Sequence, residues 1–456
     1  MSSTRRSFLQ ACTVTALSPA VVAGERVIRL GSQASDPLQD WLLCFTELNS
    51  GNADVLLIEG KHHLSRLKET DILSSVAVWK RGTVHFQPHS IVDFDYLGVP
   101  LLICTGEDAK VLSGFPQFLF SGRTPHNHDV KVLEVAALAG FTDATSFGGN
   151  YEAWSMILSF GSKLKIERLN VSSVQRGADT PIIPFVINLK PLASEQNASK
   201  ISLNNLTLAD FVHGILFSGQ TGLSVFNVVA LSRAGLHSVA PGHVLYATGI
   251  GSNVENRSCH VERVVDQGVH SPGSQDNSRA LGIIAAKKIS NSVFRHVHSR
   301  ECQGILQSLQ ECYHCEFSYF TYESVSLDNK GPPTVNIIGN VCSNLFRHWT
   351  VTMKKALFRI VSDRTGQFSS NRFDDFSVIC DTASLNKTSG IIDFRGSKNY
   401  LRIKLTAEPI NATTIILSLR GSDSLFNNIQ VTYKKGTSVP RKADNGSFNK
   451  VLLAPF

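Results

Sequence analysis

Between His213 and Asp328 the sequence gathers side chains that exchange protons or neutralise anions. Histidine changes charge near neutral pH, with an unperturbed pKa of about 6.5, so His270 and His237 are candidates to take or return a proton. Arg233 and Arg300 are placed to neutralise a carboxylate and the enolate that forms when the adjacent proton leaves. Asp266 and Glu301 make the best pair for a different chemistry, hydrolysis, in which two carboxyl groups flank the scissile bond. His213, His243, Gln303 and Asp328 are read as substrate-binding groups. Elimination and hydrolysis both remain open at this level.

The elements that must position these groups recur along the chain. Ser202-Leu203-Asn204-Asn205-Leu206 leads to Gly214-Ile215, and Gly222-Leu223-Ser224-Val225-Phe226 leads to Gly235-Leu236-His237. Cys259-His260-Val261 leads to Gly268-Val269-His270, and Ser290-Asn291-Ser292-Val293-Phe294 to Gly304-Ile305. Ser343-Asn344-Leu345-Phe346, Ser370-Asn371-Arg372-Phe373 and Phe426-Asn427-Asn428-Ile429 continue the first half of the unit. Short alternating strands at a period of roughly 20–50 residues indicate a solenoid. Uneven spacing fits coils whose turns take insertions while their strands stay stacked. Asn205, Asn291, Asn344 and Asn371 are expected at turns, where side-chain amides bond the backbone and stack as a ladder. His237 and His270 stand two residues after Gly on successive coils, so their imidazoles are expected about 4.8 Å apart. His243, in Pro241-Gly242-His243-Val244, is expected on an insertion over the groove.

Asp36 to Phe45 reads as an amphipathic helix, followed by the apolar run Val55-Leu56-Leu57-Ile58 and Glu59-Gly60-Lys61-His62-His63-Leu64. This order resembles the N-terminal cap of the pectate-lyase/polygalacturonase-like superfamily. That resemblance implies an all-β fold, a single-stranded right-handed parallel β-helix whose open apolar end a short helix covers. It also implies a carbohydrate-active enzyme with its groove beside the Gly-apolar strands. The His and Arg content favours a polysaccharide lyase acting on an acidic, uronate-containing glycan. The alternatives are a glycoside hydrolase or an intramolecular glycosyl transferase, and a non-catalytic glycan-binding or surface solenoid. The catalytic signature of polygalacturonases is missing: Gly242-His243 is followed by Val244, Asp374-Asp375 comes after it, and Arg402-Ile403-Lys404 stands alone. The resemblance therefore covers fold and groove position and leaves catalytic identity open.

Arg5-Arg6-Ser7-Phe8-Leu9 followed by the apolar stretch Ala11–Ala23 resembles a twin-arginine export signal. Residues 1–23 are read as that signal, 24–64 as cap and first coil, 65–435 as the β-helix and 436–456 as a C-terminal tail or cap. The expected location is the periplasm or the exterior. The net charge is +7, a mild excess that suits an anionic substrate. No basic cluster with interleaved aromatics suggests nucleic acid, and no later apolar run suggests a membrane anchor. Nine cysteines are scattered rather than framed for disulfides, and Cys312-x-x-Cys315 lacks the second pair that a structural zinc site needs. These thiols are read as core-filling. No cofactor is expected. Calcium, common among related lyases, finds no carboxylate trio of clear spacing. A homotrimer is frequent for such folds, though no residue here specifies one.

Overall fold

The computed structural model describes residues 24–31, 36–66, 69, 71–123, 132–138, 155–160, 163–173, 183–191, 200–231, 243–249, 254–267, 282–300, 306–324, 335–337, 339–353, 360–362, 367–381, 392–394, 396–408, 415–419, 427–433, 441–444 and 449–455. The proposed signal at 1–23 lies outside them. Every strand pairing described is parallel, and successive coils supply successive strands. The strands form a long first sheet, a second sheet and a short third sheet near the C-terminus. This is an all-β, right-handed parallel β-helix.

The solenoid begins under a helix, Pro37–Ser50. Asp36 caps it by accepting a hydrogen bond from the Gln39 N–H (3.2 Å), and Gly51 closes it at φ 78°. A left-handed residue there is the usual stop for a helix, and glycine adopts it without a Cβ penalty. Leu38, Trp41, Cys44, Phe45 and Leu48 face inward, with Phe45 set edge-on between Trp41 and Trp79. Burying each large apolar side chain stabilises by about 1.5–3 kcal/mol, so the helix seals what would be an exposed sheet end. At the other end the parallel order runs on through Lys450–Pro455, within the segment expected as a tail or cap.

The first-sheet strands do not alternate uniformly. Asn205, Asn227, Arg263, His296, Tyr319, His348 and Asp375 all have φ between 53° and 60°, and the pairing registers set them side by side. A left-handed residue inside each strand turns a corner and shifts the inward phase. Leu203 is followed inward by Leu206 and Leu208, and Val261 by Val264 and then Asp266. The core between the sheets is built from stacked rings, Phe294–Phe317–Phe346–Phe373 and Phe320–Trp349–Phe376, with centroids 4.4–5.1 Å apart. Phe spaced one per coil produces such a column, because the parallel register repeats every coil.

A second column marks the entry to the first sheet. Asn344, Asn371, Asn399 and Asn427 are almost wholly buried. The backbone N–H and Nδ2 of Asn344 donate to Oδ1 of Asn371 (3.0 and 3.1 Å). Asn371 donates likewise to Asn399, Asn399 to Asn427, and Asn427 to Asn449. Ser343, Ser370 and Lys398, which precede Asn344, Asn371 and Asn399, are left-handed. The expected asparagine ladder thus contains Asn344 and Asn371. Asn291 sits in the left-handed position before it, and Asn205 lies at the other corner. Cys312 and Cys315 are both buried, because the turn at His314 (φ 54°) brings i and i+3 to the same side rather than to opposite faces. Burial pushes the Cys104 and Cys259 thiols up to about 12, which suits core packing rather than chemistry.

Candidate functional site

The second sheet carries the site. Strand Ile183–Lys190 pairs with Phe211–Ser218, which pairs with His243–Thr248, which pairs with Gly282–Ser290. The registers set Phe185 beside His213 and place Val244 and Leu245 next to Gly214 and Ile215. Two consecutive core positions in each strand, Val186 and Ile187, Val244 and Leu245, Ile283 and Ile284, mark a bend. Gly214 occupies this bend, and a Cβ there would stand 2.7 Å from the Val244 carbonyl oxygen. The residue before the bend and the second one after it face outward. Those are Phe185, His213 and His243, beside Leu216 and Tyr246.

His213 lies flat against Phe185, with centroids 4.8 Å apart and planes 9° apart. On its other side Tyr246 is 5.4 Å away and His243 5.8 Å. The His243 backbone N–H donates to His213 Nδ1 (3.2 Å). That contact requires an unprotonated Nδ1, so the ring proton sits on Nε2. Burial, and then the neighbouring His243, push His213 down to about 3. It is therefore a neutral hydrogen-bond donor across the physiological range. Lys287, outward on the next coil, donates through Nζ to Tyr246 Oη (3.3 Å) and stands 5.4 Å from the centre of its ring. A neutral imidazole donor, a second imidazole, a phenol and an ammonium thus meet on one outer face. Together these groups can take up a proton, return one and neutralise an anion. Among the described residues no group of three His, Cys, Asp or Glu side chains gathers for a metal ion.

His213 and His243 are the only two of the candidate side chains that the described residues bring together. His243 is not on an overhanging insertion. It opens a strand and is 6% exposed. The neighbouring imidazole pair is therefore His213–His243, whereas His237 and His270 lie outside the described residues. Asp266 does not line an exterior cleft: it is 0% exposed and aligns with Ala230 and Ser299 in the inward column. Counting by twos from Val261 would point it outward, but the left-handed Arg263 shifts the phase by one. Arg300 ends the strand Val293–Arg300, while its side chain lies outside the description. Arg233, Glu301, Gln303 and Asp328 also fall outside it. Sequence reasoning missed Phe185, Tyr246 and Lys287. Aligning His243-Val244-Leu245-Tyr246 beneath His213-Gly214-Ile215-Leu216 would have found Tyr246, because both segments share one apolar phase.

No family model matches the chain, and no curated protein does. Among solved structures it is similar to a DFA-IIIase from Arthrobacter chlorophenolicus A6 in complex with DFA-III, at 11% identity and a TM-score of 0.47, over 92% of this chain and 96% of that one. It is also similar to the A-module of mannuronan C-5 epimerase AlgE6 from Azotobacter vinelandii, at 10% identity and a TM-score of 0.32, over 93% and 96%. An exopolygalacturonase from Thermotoga maritima shows 9% identity and a TM-score of 0.37, over 94% and 92%. Likeness at this distance carries nothing about reaction or substrate.

Proposed function

We propose that the protein is an exported carbohydrate-active enzyme, a lyase that cleaves an acidic, uronate-containing polysaccharide by β-elimination. The observation that carries this reading is the outward cluster of His213, His243, Tyr246 and Lys287 on the second sheet. Elimination needs three functions. The substrate carboxylate must be neutralised, which suits the Lys287 ammonium and the Nε2–H of neutral His213. A base must remove the proton at C5, and an acid must protonate the departing C4 oxygen, which suits Tyr246 and His243. The C5–H electron pair becomes the C4–C5 double bond, the C4–O bond breaks, and its oxygen leaves with a proton. Hydrolysis by the Asp266–Glu301 pair is disfavoured, because Asp266 is buried among inward positions.

The chain between Leu231 and His243 holds Arg233 and His237, that between Gln267 and Gly282 holds His270, and that between Arg300 and Leu306 holds Glu301 and Gln303. Each segment enters a strand of the second sheet, so these residues are proposed to complete the site from its edge. The Arg5-Arg6 segment supports export, with the periplasm or exterior as the place of action. Incubation with a panel of uronate glycans tests the function. Ultraviolet absorbance from a new conjugated double bond is the expected result. New reducing ends without that absorbance would establish hydrolysis, and neither signal would leave only binding. Full activity in His270→Ala would remove that residue from the set.

A further inference from the structure

The outer face of the second sheet is not uniform along the solenoid. Its upstream part is covered by a second apolar core, separate from the one inside the coils, that includes Val99, Ile103, Val135, Leu158, Phe160 and Leu216, each at most 3% exposed. Ile103 and Leu158 are register partners on that sheet, and Leu216 lies two strands further along the same sheet. The cover comes from elsewhere: Val135 from the helix Val132–Leu138, and Val99 from the segment Tyr96–Pro100. Arg66 pins that segment. Its side chain is wholly buried, and it donates through Nη1 to the Tyr96 carbonyl (2.6 Å) and through Nη2 to the Pro100 carbonyl (2.7 Å). Nε donates to Ser75 Oγ (3.1 Å), tying in the short helix Ile72–Ser75. A guanidinium satisfied by backbone carbonyls in the interior is costly to dislodge, so the Tyr96–Pro100 part of the cover is held in place. It ends at Leu216. On the next coil Tyr246 and Thr248 are partly exposed, and so is Lys287 on the one after.

We infer that the site is blind at its N-terminal side and that the protein acts on chain ends, holding a terminal sugar against Tyr246, where the cover over Leu216 stops, while the rest of the polymer leaves towards the later coils. The inference rests on the proposed function above. A glycan laid along the stacked coils meets packed apolar side chains upstream of His213, and expelling them would expose the second core to water. A chain that runs through the site has no path there. A chain end has a wall to stop against, with the His213–His243–Tyr246 rings on the boundary.

The test titrates a series of oligouronates, from the dimer upwards, into the full-length protein, with each series carrying a bulky tag on one end or the other. Affinity is expected to level off within the first few sugars, and tagging one particular end is expected to weaken binding by at least about tenfold, ~1.4 kcal/mol. Polymer digestion should release one short product from the start. Affinity that rises steadily with length, tolerance of tags at both ends and early products of mixed length would overturn the inference while keeping the proposed function. Failure of every oligouronate to bind would overturn the proposed function and this inference with it. Val135→Ser and Val99→Ser loosen the cover at two separate places. In whichever variant keeps the wild-type melting profile, mixed-length products should appear. An unchanged single product from a folded variant with a loosened cover would count against the wall.

Discussion

Two stacks of like residues run along this solenoid, one residue per coil, and their polar atoms meet opposite fates. In the asparagine ladder every rung spends its amide on neighbours: Asn371 accepts twice from Asn344, and its Nδ2 donates to the Val341 carbonyl and to Asn399. In the ring stack of the second sheet, packing is handled by flat faces, Phe185 on His213, while the ring edges take their hydrogen bonds from outside the stacking direction, His213 Nδ1 from the His243 N–H and Tyr246 Oη from Lys287. The same coil repeat builds both. A stack whose hydrogen bonds close on themselves holds the fold, and a stack held by its faces can present chemistry.

Breaking a rung should have the largest effect on stability. Asn371→Ala strands buried donors and acceptors on both adjacent coils, at about 1–3 kcal/mol for each uncompensated group, so a loss of about 3–5 kcal/mol is expected in urea unfolding. Because solenoids unfold by units, the loss should centre on the later coils. A change near zero would mean that the ladder is not what holds the corner.

His213→Phe sharpens the contrast from the other side. Phenylalanine keeps the stack on Phe185 but removes the Nε2 donor and the Nδ1 acceptor. Activity should fall by about 100-fold, in the range for losing one proton-handling or oxyanion-stabilising group, while stability drops by only about 1 kcal/mol for the unmet His243 N–H. Equal losses of fold and function would make this stack structural as well. Lys287→Met should cost about tenfold on uronate substrates and little in melting, since it removes a charge-assisted contact near a partly exposed phenol.

The sign of the pH effect follows from His213, whose folded pKa of about 3 lies below the unfolded value of about 6.5. Between those values the unfolded chain holds the extra proton, so stability is full above about pH 6.5 and declines as pH falls towards 3. His213→Phe should flatten that slope, and an unchanged slope would assign it to other groups. The smallest effect is expected at the exterior. Partial burial opposes ionisation of Glu316, but hydrogen bonds from Arg295, Ser318 and Arg347 outweigh it and hold the carboxyl at about 2. That stability is present above the ordinary carboxylate range and is lost as pH falls towards 2. Glu316→Gln should cost about 1 kcal/mol near neutral pH, as partly exposed pairs do, and added salt should reduce the difference.

Much of this was legible in the residues. The Ser-Asn-x-Phe units announced both the ladder and the ring column, because a turn amide and an apolar side chain two positions later recur with each coil. The capping helix was marked by Asp36, Pro37 and its apolar face. The left-handed corners were not legible, since asparagine, arginine, histidine, tyrosine and aspartate all occupy them. That blind spot is what misplaced Asp266. His243 was misread because Pro241-Gly242 before it suggested a turn on an insertion, whereas the strand paired beside that of His213 opens at His243 itself.

The central claim is that the outer face around His213, His243, Tyr246 and Lys287 receives a uronate. A crystal structure of the protein soaked with a short oligouronate tests it most directly. The account predicts a sugar carboxylate within ion-pair distance of Lys287 Nζ and a ring lying beside Tyr246. Well-ordered saccharide bound only along the exterior of the first sheet, with this face empty, would contradict it.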